Sequence, residues 1–104
     1  MSKPRYGWWG YVKWMIRQYP AREGRYMQGK ALEERLAVKR AIDQTLELEN
    51  GKERMQVIEL VFFRQTHTLE GAAMMIPCSY MTARRYHNDF IKKVAKNFGL
   101  MDEG

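Results

Sequence analysis

Apolar residues recur along the chain at helical spacing, and no segment shows the two-residue alternation of a half-buried strand. Trp8, Tyr11, Val12, Met15, Ile16 and Tyr19 fall at offsets of 0, 3, 4, 7, 8 and 11, one face of a helix over about residues 7–19. Pro20 is expected to stop it, because its ring removes a backbone donor and crowds the preceding turn. Residues 21–30 are polar, contain Gly24 and Gly29 and show no period, so they read as a linker. From Ala31 to about Leu48 a second helix carries Leu32, Leu36, Val38, Ile42 and Leu46 on one side. Asn50-Gly51 then offers the left-handed backbone that ends helices. Lys52 to about Gln65 is apolar nearly all round through Met55, Val57, Ile58, Leu60, Val61, Phe62 and Phe63, which places this third helix at the centre of the core.

The remaining pattern is two helices around a tight turn. Thr68 is suited to cap a short helix from Leu69 to Ile76, Pro77-Cys78 makes a turn, and Ser79 caps the last helix. The inward stripe of that helix is Ala83, Tyr86, Phe90, Ile91, Val94 and Phe98, and its outward face holds Met81, Arg84, Arg85, Asn88 and Lys92. The expected fold class is all-α, about five helices around one core. The expected division is an aromatic amphipathic helix at 1–20, a linker at 21–30 and a helical domain at 31–104, with a helix-turn-helix at 69–96.

Composition narrows the classes. A chain of 104 residues has room for one compact domain, and 45% hydrophobic with 29% charged residues is the balance of an ordinary globular protein. No apolar run approaches the 18 or so residues of a bilayer-spanning helix, since Glu59 interrupts Val57 to Phe63. The N-terminal stretch lacks the aliphatic core of a secretory signal, so a cytoplasmic location and no membrane partner are expected. The net charge of +6 is unevenly spread. Residues 1–40 hold ten Lys/Arg against three acids, whereas residues 41–70 hold three against six, so the ends are basic and the middle acidic. Basic ends suit a polyanion, and phosphate is the commonest one in a cell.

The spacing from Leu69 to Arg85 fits a helix-turn-helix. Small Ala73 sits where two helices must approach, Ile76 and Cys78 flank the turn, and Ala83 and Tyr86 seat the second helix on the first. Such a unit leaves the N-terminal half of its second helix free to enter a major groove. The expected DNA-binding residues are Ser79, Tyr80, Met81, Thr82, Arg84, Arg85 and Asn88, followed by Lys92, Lys93 and Lys96 where phosphates would pass. Arg bonds guanine in bidentate fashion, Asn suits adenine, and Met or Tyr can touch a thymine methyl.

The segment from about Glu53 to Leu100 resembles the promoter-reading C-terminal region of bacterial sigma factors, in which a Leu-Glu-Glu-Ile-Ala helix precedes Leu-Gly-Ile-Ser and a Thr-Val-Arg helix. Leu69-Glu70, Ala73, Ser79, Thr82 and Arg84 match that pattern without a gap. The opening Pro4 to Lys13, with Thr66-His67-Thr68-Leu69 and Arg84 to Ile91, is similar to small sigma-like regulators of Firmicute prophages, related to phage late-gene activators of the RinA/ArpU type. The resemblance implies promoter-proximal DNA binding, contact with RNA polymerase, and control of phage morphogenesis or packaging genes. Two departures stand out. Pro77 replaces the usual turn Gly and cannot take its positive φ, so the turn must differ locally. Gly71 and Ala72 replace bulkier or more helix-forming residues, so the first helix of the motif is expected to be short.

Other residues have plainer readings. Trp8, Trp9 and Trp14 with Tyr6, Tyr11 and Tyr19, interleaved with Lys13 and Arg17, could stack single-stranded nucleic acid, but their spacing more simply says core. Trp9 and Trp14 fall off the main stripe and are candidate contacts to a partner or a second copy of the chain. Cys78 reads as a small apolar turn residue, and as the single cysteine it has no disulfide partner within the chain. His67 and His87 lack metal-ligand spacing, and no metal or cofactor is expected. Asp43, Glu47, Glu49, Glu53 and Glu59 read as the solvated side of two helices, or as a surface for a basic partner. No Gly-rich phosphate loop, nucleophile elbow or paired acid and base appears, so no enzyme is expected. The leading expectation is a sequence-specific transcriptional regulator on double-stranded DNA. The alternatives are a phage DNA-packaging adaptor, associated with a terminase, and an RNA polymerase interaction module.

Overall fold

The first helix, α1 (Trp9–Arg22), does not stop at Pro20 but runs through it. In the computed structural model, which describes residues 6–101, the proline sits in the last turn, where its missing N–H costs a single intrahelical bond. The Glu23 N–H then closes the helix on the Tyr19 carbonyl at 3.0 Å. The expectations that rest on Lys3, Pro4 and Arg5 lie outside the described residues. Helix α2 (Gly29–Leu46) begins at Gly29, whose φ of +65° is readily adopted only by glycine, so the connection is shorter than the expected 21–30 linker.

The inward face of α2 also differs from the expected one. Its buried residues are Glu34, Ala37, Val38, Ala41 and Thr45, whereas Leu36 and Leu46 are 39% and 50% exposed. Only Val38 belongs to both sets. Ala37 and Ala41 join Ala95 of the last helix in the core, and small residues there let two helices approach closely where leucines would hold them apart. Glu34 is a buried carboxylate with two partners. Arg22 Nη1 donates to its Oε1 at 2.8 Å, and the Tyr11 hydroxyl makes a short bond to its Oε2. Burial, and next the bond to Glu34, push the Tyr11 phenol up to about 12. These bonds fasten both halves of α1 to α2, and a buried charge needs such pairing.

Asn50 adopts the left-handed conformation at φ 63°, and Gly51 opens α3 (Gly51–Ile58). Gly51 is needed for space rather than for φ: a Cβ there would lie 2.6 Å from the Thr45 carbonyl oxygen. A π turn (Glu59–Phe63) continues α3, its Arg64 N–H reaching the Glu59 carbonyl five residues back at 2.7 Å. The wider turn buries Phe62 in the core while Phe63 meets Tyr19 of α1, ring centres 5.8 Å apart. Helices α4 (Leu69–Met75) and α5 (Tyr80–Phe98) complete five α-helices, with no strand among the described residues.

Two apolar clusters meet along α5. One gathers Val12, Met15 and Ile16 of α1, Val38 of α2, Ile58 and Phe62, and Phe90, Ile91 and Val94. The other joins Val57 of α3, Ala73, Ile76, Ala83 and Tyr86. The described chain is compact, with a radius of gyration of 13.4 Å, close to the roughly 13 Å of a 100-residue domain. No helix among the described residues is long and apolar enough to cross a membrane.

Candidate nucleic-acid interface

Both helices of the C-terminal pair begin on a side-chain cap, as their sequences lead one to expect. The Thr68 hydroxyl accepts from the Gly71 N–H at 3.0 Å, and the Ser79 hydroxyl accepts from the Thr82 N–H at 3.1 Å. Gly71 helps the first of these, since a Cβ there would lie 3.3 Å from the capping Thr68 Oγ1. The resulting α4 has only seven residues. The turn to α5 contains no positive φ. Instead the Cys78 N–H donates to the Ile76 carbonyl across Pro77, an inverse γ-turn for which the proline ring is preset. Ile76 is buried and Cys78 half-buried beside it, and burial, then Glu53, push the Cys78 thiol up.

Two polar anchors position α5. The Tyr86 hydroxyl donates to Glu53 Oε2 at 2.6 Å, and the Arg54 guanidinium lies 4.7 Å over the Tyr86 ring while Nη1 approaches Asp89 Oδ2 at 3.4 Å. The bond to Glu53, followed by burial, raises the Tyr86 phenol above its ordinary value. Glu53 is thus half-buried and bonded, unlike its expected place on a solvated acidic face, which Asp43, Glu47, Glu49 and Glu59 do occupy. Farther along, Asn97 Nδ2 donates to the Ala37 carbonyl at 3.1 Å and to Gln44 Oε1 at 3.0 Å.

With its inner face held in this way, α5 leaves five of the ten expected residues exposed and the other five half-buried. Ser79, Tyr80, Met81, Arg84 and Arg85 are exposed, and Met81 reaches 68%. Met81, Arg85, Asn88, Lys92 and Lys96 follow one another at three- and four-residue steps, which lines them along one side of the helix. Thr82 is half-buried and accepts from the Ser79 hydroxyl at 2.9 Å, so it serves the cap. Asn88, Lys92 and Lys96 of this stripe are half-buried, as is Lys93, which lies off it; there burial lowers the Lys93 ammonium below its ordinary value, with the charges of Asp89 and Arg54 also acting on it.

Residues on α1 also meet this surface. His87 stacks on Phe62 with ring centres 5.0 Å apart, Arg17 lies 5.9 Å over the same ring, and Lys13 acts electrostatically on the imidazole. Lys13 and Arg17 are four residues apart on one helix, a legible signal, but nothing in the sequence ties them to His87. The aromatic residues at and just before the start of α1 stack mainly on one another and on the core. Tyr6 and Trp8 rings are 4.6 Å apart, and Trp8 and Trp9 both pack against the first cluster. Trp9 is therefore half-buried rather than exposed, while Trp14 is 42% exposed with Arg22 5.1 Å over its ring. Among the described residues no cluster of three or more metal-ligating side chains occurs. No protein-family model matches the chain, and no curated protein or solved structure shows significant similarity to it.

Proposed function

We propose that this chain is a sequence-specific DNA-binding transcriptional regulator, sigma-factor-like and encoded by a phage or prophage, that lays the first turns of α5 in the major groove of a promoter. The observation that carries the reading is the stripe of Met81, Arg85, Asn88, Lys92 and Lys96 on a helix whose opposite face is buried. Arg84 and Arg85 reach guanine edges, Asn88 an adenine, and Tyr80 and Met81 thymine methyl groups. Lys92 and Lys96 meet phosphates and set the register. The caps at Thr68 and Ser79 are exposed, which supports a turn that faces DNA. The function is binding rather than catalysis, and RNA polymerase is the second partner, with Trp14 its candidate contact.

Sequencing the duplex fragments retained by the purified protein tests this directly. One enriched promoter motif is the expected result. Replacing Arg84 and Arg85 together by Ala should abolish that enrichment while leaving the two apolar clusters in place, since both side chains are exposed and neither belongs to them. Retention without any motif would favour a packaging adaptor, and no retention at all would leave only a protein-interaction module.

A further inference from the structure

Two basic side chains from two helices meet at one ring. Arg17 comes from α1 and His87 from α5, both lie against the Phe62 ring with centres 5.9 and 5.0 Å away, and the charge of Lys13, one turn before Arg17, also acts on the imidazole. The charges that act on the imidazole are Lys13, Arg17 and Arg84, all of one sign, and Glu59 of the neighbouring π turn is engaged by Arg64 at 3.3 Å. Gathering like charges at a partly desolvated site costs stability unless an anion offsets them. Asn88 Oδ1 accepts from His87 Nδ1 at 2.8 Å, which leaves Nε2 as the atom that takes a second proton.

We propose that Lys13, Arg17 and His87 together hold one backbone phosphate of duplex DNA at the junction of α1 and α5, with the imidazole protonated when the phosphate is bound. The proposal rests on the DNA-binding reading and extends it. It makes α1 part of the interface, and it couples DNA affinity to pH. In the free protein burial, and then the three cations, hold His87 below its ordinary value. A phosphate reverses the sign of the local field and draws a proton onto the ring. Affinity therefore rises as pH falls, about tenfold for each unit by which the phosphate raises the His87 value.

The test follows the two histidine ring signals of the full-length chain by NMR, from about pH 5.5 to 7.5, where an imidazole changes charge. Titrations are run with buffer alone, with inorganic phosphate and with a mixed-sequence DNA duplex. Expected is an upward move of the His87 midpoint with the duplex, and a smaller one with inorganic phosphate. The Lys13→Gln/Arg17→Gln variant should lose most of both moves. His87→Gln should bind duplex with an affinity that no longer rises toward low pH. A duplex that binds while the His87 midpoint stays fixed overturns the phosphate site and leaves the DNA reading standing. A response to inorganic phosphate in a protein that binds no duplex overturns DNA as the source of the phosphate.

Discussion

The Tyr86 hydroxyl donates to Glu53 Oε2 across 2.6 Å, so the middle of α5 is bolted to the first turn of α3. Because Glu53 is only half-buried, water can partly replace a lost donor. Tyr86→Phe should therefore cost about 1.5 kcal/mol, at the low end for a hydrogen bond to a charged group. Urea unfolding with an unchanged slope would read it. A midpoint equal to that of the parent would mean that this bond does not hold the helix.

Gly51→Ala should destabilise the protein by about 1 to 3 kcal/mol, the usual range for overpacking. The sign is the informative part. Ala in place of a helical Gly ordinarily stabilises by roughly 0.5 to 1 kcal/mol. Here the added Cβ would meet the Thr45 and Leu46 carbonyl oxygens at 2.6 and 2.8 Å. A higher melting temperature in the variant would refute the close approach of α3 to the end of α2.

Lys92 and Lys93 are neighbours in sequence but should differ on DNA. Lys92→Gln should lower the slope of log affinity against log salt by about 1, the loss of one phosphate contact. Lys93→Gln should change it by no more than a few tenths, because Lys93 lies off the outward stripe beside Asp89 and Arg54. Binding titrations at several salt concentrations, on specific and random duplexes alike, separate the two.

His87 should also make the free protein lose stability in mild acid. Its imidazole prefers to be neutral in the fold, chiefly through burial, while the unfolded chain takes a proton near about 6.5. Between that value and the lowered folded one, the unfolded state binds more protons, so stability rises with pH. The contribution is complete above about pH 6.5 and is lost as pH falls toward the folded value. Denaturation midpoints measured across this range should show the loss, and His87→Gln should remove it.

The C-terminal half was readable because its signals are local. Thr68 and Ser79 each need only a backbone N–H three residues ahead, and the α5 stripe repeats over 19 residues. The α2 face differs from the expected one because leucines suggest a core wherever they occur, whereas the residues buried there include Ala37 and Ala41, in one cluster with Ala95, distant in sequence. A buried Glu34 runs against its residue type and becomes intelligible only with Arg22 and Tyr11 beside it. Pro20 was read by a rule for helix interiors, but it sits in a last turn. Of the ten positions expected to face DNA, Ser79, Tyr80, Met81, Arg84 and Arg85 are exposed and the other five half-buried. The arrival of Lys13 and Arg17 beside His87 depends on how α1 packs against the rest, which no local pattern encodes.

The stacked rings at the start of α1 have an optical consequence. All three tryptophans, Trp8, Trp9 and Trp14, fall within the first 14 positions, and Trp8 and Trp9 lie against the first cluster. Intrinsic emission therefore reports the seating of α1, whereas far-ultraviolet dichroism averages all the helices. The chain carries a built-in two-probe measure of its own cooperativity: coincident curves mean that α1 and the C-terminal pair melt as one unit, and separated curves mean that α1 leaves first.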